Sequence, residues 1–207
     1  WGGPDQRNIW GNYGPSPTNT IEFIFTERGG VWAADDDTDI EYMYQHLLDT
    51  HDTAILSPTQ IRDGWLRHIY SNEDAPGGEN FLWVSNERAY YLMLEQGLVP
   101  PATSEPENNP DYEMIDAQLT TEIFGLFAPA RPDLALQMAA LPIRTTASNN
   151  AQWAAEFHVI MHALASYVDD SMSMKAQVLW LAERARARLP EGSYVAYLIV
   201  SFPVVRH

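Results

Sequence analysis

The amino-acid sequence predicts an all-α fold, a compact orthogonal bundle of several helices with long loops at one end. Apolar side chains recur at helical spacing over most of the chain after residue 37, and capping residues or prolines separate these stretches. The chain has 207 residues, of which 45% are apolar, so it suits a single domain with a buried core. We therefore expect one domain over residues 1–207.

The first helix of the bundle is predicted to begin near Asp37 or Thr38. Residues 1–30, which precede it, are rich in glycine, proline and asparagine, and this composition favours irregular structure that covers the core. Thr38 and Glu41 have the spacing of a capping box. The face predicted to be buried comprises Ile40, Met43, Tyr44, Leu47 and Leu48.

Two further helices are predicted before a long loop. Ser57 as N-cap and Pro58 at the first helical position mark the start of the second helix. The third helix covers about residues 86–96, and Gly97 is its C-terminal stop. Residues 99–111 contain four prolines and are predicted to form a long loop, which in a compact domain is often functional.

The remainder of the chain is predicted to be helical at residues 112–127, 132–141, 150–168 and 174–189. Pro129 and Pro132 separate the first two of these helices, and Pro190 ends the last. Residues 194–202 have a composition that also suits a strand. Because they follow a run of helices, we favour another helix, capped at Ser193.

The composition excludes several classes of function. The 28 acidic residues outnumber the 12 basic ones, and a net charge of −16 argues against nucleic acid or an anionic membrane as partner. No apolar stretch approaches the roughly 20 residues of a membrane span. The absence of cysteine excludes disulfides and thiolate chemistry. No signal peptide is visible, which favours the cytoplasm, although a chain that begins at Trp1 can be a processed one.

The negative charge is concentrated in the first 120 residues, which hold 21 acidic and 5 basic side chains, whereas the rest of the chain holds 7 of each. Asp35, Asp36 and Asp37 precede Thr38 at the predicted start of the first helix. Helix capping explains one of these aspartates, but three adjacent carboxylates repel one another unless a positive charge compensates. Two interpretations stay open: a solvated acidic surface, and a site for a hard cation such as Mg²⁺.

Asp35-Asp36-Asp37-Thr38, at the start of an amphipathic helix, resembles the first metal motif of the ADP-ribosylglycohydrolase family. The similarity continues in order along the chain to about residue 200, through the segments 97–101, 116–118, 125–129, 146–157 and 189–193. Within the segment 146–157, Ser148-Asn149-Asn150-Ala151 retains an asparagine but lacks the two glycines that usually flank it. The order and spacing of these segments carry the resemblance.

The resemblance implies an all-α enzyme that hydrolyses the glycosidic bond between ADP-ribose and a protein side chain or small acceptor, using two Mg²⁺ ions. The implied metal ligands are Asp35, Asp36 and Asp37. Asp36 and Asp37 would also take part in catalysis, and Asn149 and Asn150 would line the ADP-ribose cleft. We further expect Trp32, which is close to the acidic cluster, to stack on adenine or ribose.

The sequence also departs from the family's pattern. The N-terminal glycine-rich helix and the second acidic metal motif near the C-terminus have no counterpart, so the chain resembles the central portion of the domain. Asp169-Asp170-Ser171 is a poor substitute for the second motif. The alternative function is therefore an inactive family member that binds ADP-ribose or acts as a structural, self-assembling protein, with a homo-oligomer as one possible form.

His158 and His162 are a separate candidate, because their spacing on one helix can ligate zinc. No third ligand is evident in the sequence, and apolar residues surround both. We therefore interpret them as interior or boundary histidines.

Overall fold

The computed structural model describes residues 36–69, 82 and 84–201, and it confirms the all-α fold class: these residues contain helices and no strand. A π-helical turn, Trp65–Ile69, extends the second helix, and 3₁₀ turns lie at Ala102–Ser104 and Ala165–Tyr167. The α-helices are α1 (Asp36–Thr50), α2 (Pro58–Gly64), α3 (Val84–Gln96), α4 (Asp116–Thr120), α5 (Ile123–Phe127), α6 (Pro132–Thr146), α7 (Asn149–Leu164), α8 (Met174–Arg186) and α9 (Tyr194–Ser201).

Helix α7 is the centre of the bundle and packs against α4, α5, α6 and α8. Its contact with α5 is a direct backbone approach, because a Cβ atom on Gly125 would lie 2.4 Å from the Val159 carbonyl oxygen. Only glycine fits such an approach without displacing one of the helices. Helix α1 joins the bundle through α2 and α4, and buries Ile40, Tyr44 and Leu47.

A buried chain of hydrogen bonds crosses the core from the π-helical turn after α2, through α1, to α6. The Trp65 indole N–H donates to the Tyr44 hydroxyl at 3.1 Å, and that hydroxyl donates to Thr145 Oγ1 at 3.4 Å. Thr145 in turn donates to the carbonyl of Leu141 at 3.0 Å. Burial raises the pKa of Tyr44 to about 12, so the phenol stays neutral and can serve as both acceptor and donor.

The predicted helix starts at Ser57 and Ser193 are confirmed. The Ser57 hydroxyl accepts from the Gln60 N–H, and the Gln60 side chain accepts from the Ser57 N–H, which completes a capping box. The Ser193 hydroxyl accepts from the Ala196 N–H at 3.2 Å. Helix α1 begins at Asp36, slightly before the predicted start, so Thr38 lies within its first turn.

The single helix predicted over residues 112–127 is wrong, because two short helices, α4 and α5, occupy this region. Thr121 separates them: its φ is −133°, and its hydroxyl donates to the Ala117 carbonyl at 2.6 Å. A β-branched side chain that bonds back to the preceding turn competes with the helical backbone.

Helix α6 continues past its predicted end at residue 141, through the buried Pro142, to Thr146. Pro142 removes one helical donor, but the ring is packed in the core, and this burial offsets the loss. In the described part of the chain, no helix combines the length and apolarity needed to cross a lipid bilayer.

Candidate functional site

The N-termini of α1, α3 and α4 meet at one end of the bundle, and Asn86 joins them. Asn86 lies in the first turn of α3 and is 0% exposed. Its carboxamide Nδ2 donates to Asp36 Oδ2 at 3.0 Å, and its backbone N–H donates to Asp116 Oδ1 at 3.3 Å. One buried residue, through its side chain and its backbone N–H, therefore fixes the position of the predicted ligand Asp36 relative to Asp116.

Asp116 is a buried carboxylate next to Asp36. Its exposed fraction is 1%, and removal from water is the main cause that raises its pKa. The neighbouring Ser85 hydroxyl and the Asn86 N–H lower the pKa of Asp116, and the negative charge of Asp36 raises that pKa. The contact between Ser85 and Asp116 falls short of full hydrogen-bond geometry. The Asp36 carboxylate is thus close enough to affect the ionisation of Asp116.

Three buried oxygen atoms in this region have no hydrogen-bond partner among the described residues. They are Ser85 Oγ, Asn86 Oδ1 and Asp116 Oδ2. Each such atom costs free energy, typically about 1–3 kcal/mol, unless a water molecule or an ion satisfies it. All three are hard oxygen donors of the kind that Mg²⁺ prefers.

The N-terminus of α7 lies at the same end of the bundle. The backbone N–H and the side-chain Nδ2 of Asn150 donate to Glu113 Oε1 at 3.4 Å and 3.0 Å, and Glu113 precedes Asp116 by three residues. Asn149 is exposed and has a φ of +53°, a left-handed conformation that glycine favours and asparagine tolerates. Asn149 therefore adopts a backbone conformation for which glycine is the usual residue.

The long loop predicted over residues 99–111 forms one wall of this end and is firmly anchored. Arg144 of α6 donates to Glu105 Oε1 at 2.5 Å and to Ser104 Oγ at 3.1 Å. Ser148, just before α7, donates to the Ser104 carbonyl at 2.6 Å. These bonds hold the loop against α6 and the start of α7.

The structure brings Asp36 and Asn150 to one end of the bundle, and Asp37 lies half-buried in the same first turn as Asp36. Asp35 and Trp32 lie outside the described residues. Among the residues that are described, no group of three or more acidic or histidine side chains is arranged to hold a metal ion.

Asn86, Asp116 and Glu113 were not predicted as site residues. Asn86 and Asp116 are polar residues in the first turns of helices, where a capping role is the usual interpretation. Their shared contact spans 30 positions in the sequence, so only tertiary packing reveals it.

Two other candidates lie apart from this end. Asp169 and Asp170 follow the far end of α7, about 24 Å along its axis from Asn149, and Asp169 Oδ1 accepts from the Ser171 N–H in a local turn. His158 is half-buried, and burial lowers its pKa, with a further decrease from His162, which is exposed. In the described ranges no third side chain completes a zinc site with the two histidines.

No protein-family model, curated protein or solved structure matches the chain. The site is therefore interpreted from its own residues. They provide the half-buried carboxylate of Asp36, the buried carboxylate of Asp116 and buried oxygens without a partner among the described residues, at the end of the bundle where Asn149 and Asn150 begin α7. This arrangement can bind a hard divalent cation and a polar ligand at the mouth of the bundle.

Proposed function

We propose that the protein hydrolyses the glycosidic bond between ADP-ribose and a protein side chain or small acceptor, with Mg²⁺ as cofactor. The observation that carries this proposal is the fixed position of Asp36 at the N-terminus of α1. Asn86 holds its carboxylate beside Asp116, at the end of the bundle where Asn149 and Asn150 begin α7. The resemblance to ADP-ribosylglycohydrolases assigns metal binding and substrate binding to these same two segments.

The described residues fit a hard cation, because the buried side-chain atoms near Asp36 that have no hydrogen-bond partner among the described residues are oxygens rather than nitrogens. Asp36 and Asp37, together with Asp35, would hold the Mg²⁺. When bound, Mg²⁺ supplies Lewis-acid chemistry, which lowers the pKa of a water molecule and orients ribose hydroxyls. Asn86 keeps Asp36 in one orientation by donating to Oδ2, so the Asp36 carboxylate does not need to reorient during the reaction.

The reaction adds water to the anomeric carbon of the ribose. The new C–O bond forms as the bond to the acceptor breaks, one proton of the water passes to the departing acceptor, and the products are ADP-ribose and the free acceptor. Asp36 and Asp37 orient the attacking water and can accept its proton. Asn149 and Asn150 position the ADP-ribose, which makes attack at one carbon effectively intramolecular.

Asp36→Ala tests this proposal. We expect the substitution to abolish Mg²⁺ binding, measured by titration calorimetry, and the turnover of an ADP-ribosylated protein. Asp49→Ala is the matched control, because Asp49 is an exposed carboxylate about 20 Å away at the other end of α1. Normal turnover by Asp36→Ala would refute the proposal.

A second candidate function, a protein that assembles with itself without turnover, is favoured by apolar surface near the C-terminus. Met174 is 75% exposed, and Tyr194 and Tyr197 are 59% and 64% exposed, on the adjacent helices α8 and α9. Exposed apolar side chains on neighbouring helices provide surface that can promote association. Sedimentation velocity over a range of concentrations separates the two: a stable oligomer that releases no ADP-ribose would favour this second function.

A further inference from the structure

The packing around Asn86 places more oxygen donors near Asp36 than the acidic motif at residues 35–37 contains. Asn86 and Asp116 are 0% and 1% exposed, and each has an oxygen without a partner among the described residues. The carboxamide of Asn86 contacts Asp36 through Nδ2, and its Oδ1, on the same amide group, has no hydrogen-bond partner among the described residues. These buried atoms belong to α3 and α4, and the sequence motif does not include them.

Helix capping accounts for only one oxygen of Asp116. Oδ1 accepts from the Asn86 N–H and so caps α3 from a neighbouring helix. Oδ2 contributes nothing to that cap and is buried without a partner in the described part of the chain. Helix capping therefore leaves the buried Oδ2 of Asp116 unexplained.

We propose that Asp116 is a further cation ligand and that Asn86 is a positioning residue, so that together they form the inner wall of the site whose outer wall is Asp36. This inference rests on the proposed function, because it completes the same cation site. The ligand class is a small hard divalent ion, Mg²⁺ or Mn²⁺, which prefers carboxylate and amide oxygens. The bound ion would connect the N-termini of α1, α3 and α4.

Mn²⁺ binding to the whole protein, measured by the loss of the free-ion signal in electron paramagnetic resonance, tests this inference. Asp116→Asn keeps an acceptor oxygen for the Asn86 N–H, so the cap of α3 is preserved. We expect it to weaken Mn²⁺ binding by at least about tenfold. Asp49→Asn is the matched control, since Asp49 is an exposed carboxylate at the other end of α1, and we expect its Mn²⁺ affinity to equal that of the wild type.

A second measurement uses the wild-type chain and so does not depend on how a variant folds. Substoichiometric Mn²⁺ should broaden the amide NMR signals of Asn86 and Asp116 before those of Asp169 and Asp170, which lie at the far end of α7. Equal broadening of the signals of all four residues would refute the proposal that Asp116 and Asn86 form the inner wall of the cation site.

The outcomes separate this inference from the proposed function. Mn²⁺ binding that is lost in Asp36→Asn but normal in Asp116→Asn would overturn the role of Asp116 and leave the hydrolase proposal standing. Binding that depends on Asp116, in a protein that releases no ADP-ribose, would support the inner wall and refute the hydrolase. A wild-type protein that binds no Mn²⁺ would overturn both.

Discussion

Asn86 shows how a single residue organises the candidate site. Its side chain and backbone make bonds to Asp36 and Asp116 on two other helices, and it is fully buried. The sequence could predict Asp36 because three adjacent aspartates at a helix start are unusual. It could not predict Asn86, because an asparagine in a first turn looks the same whether it caps its own helix or reaches a carboxylate 50 positions away.

Tyr44 leads to a prediction at alkaline pH. Its folded-state pKa of about 12 lies above the unfolded value of 10, so only the unfolded state loses this proton as the pH rises through that window. Stability should be fully present below pH 10 and fall by about 2–3 kcal/mol between pH 10 and pH 12. Urea unfolding across this range should show a smaller loss in Tyr44→Phe.

The same variant should be less stable at neutral pH by about 1–2 kcal/mol, because the Trp65 indole N–H loses its acceptor. Tyr167→Phe is the control, since Tyr167 is 60% exposed. An equal alkaline loss in the wild type and in Tyr44→Phe would contradict the assigned pKa.

At the scale of elements, the sequence predicts helices well where a local signal marks the boundary. Ser57 and Ser193 do so, because a hydroxyl cap and its N–H partner lie three residues apart. The break at Thr121 was missed because it depends on one side chain bonding back to Ala117 in competition with helix continuation. The extension through Pro142 was missed because burial of the ring offsets the lost donor, and burial is a tertiary property.

The approach of α5 to α7 gives a second prediction. Gly125→Ala would place a methyl group 2.4 Å from the Val159 carbonyl oxygen and 2.6 Å from His162 Cβ, so the two helices must separate. We expect destabilisation of about 1–3 kcal/mol, which lowers the melting temperature by about 2–4 °C per kcal/mol in a domain of this size.

Gly97→Asn is the comparison variant for thermal unfolding. A Cβ on Gly97 meets no atom within 4 Å, and asparagine tolerates its φ of +66°, so this variant should melt close to the wild type. A Gly125→Ala protein as stable as Gly97→Asn would show that α5 and α7 do not pack as described.

In the whole molecule, the net charge of −16 affects stability in two ways: through repulsion among all the carboxylates and through the proposed cation site. The excess lies before residue 121, in the part of the chain that also contains Asp36 and Asp116. Self-repulsion among so many carboxylates destabilises the compact state, and any salt screens it. A specific cation site adds a stabilisation that saturates with the ion and does not follow ionic strength.

Thermal unfolding at matched ionic strength separates these two effects. NaCl should raise the melting temperature gradually in both wild type and Asp36→Asn. MgCl₂ should raise that of the wild type further, with a gain of about 2.7 kcal/mol at one hundred times the dissociation constant. Identical responses to NaCl and MgCl₂ in the wild type would indicate screening alone.

The all-α fold was predictable from the sequence, since amphipathic spacing is a local signal, and the aspartate run is the local signal that indicates the candidate site. The proposed inner wall has no such signal, because Asn86 and Asp116 come together only where α1, α3 and α4 meet. The predicted ligand Asp35 and the predicted stacking residue Trp32 lie outside the described residues, and their roles stay predictions.

Release of free ADP-ribose, detected by mass spectrometry, is the direct test of the proposed Mg²⁺-dependent hydrolysis. The wild-type protein would be incubated with ADP-ribosylated protein substrates, with Mg²⁺ or with a chelator. We expect release with Mg²⁺, none with the chelator, and none by Asp36→Ala. A folded protein that binds Mg²⁺ yet releases no ADP-ribose from any of these substrates would contradict the proposal.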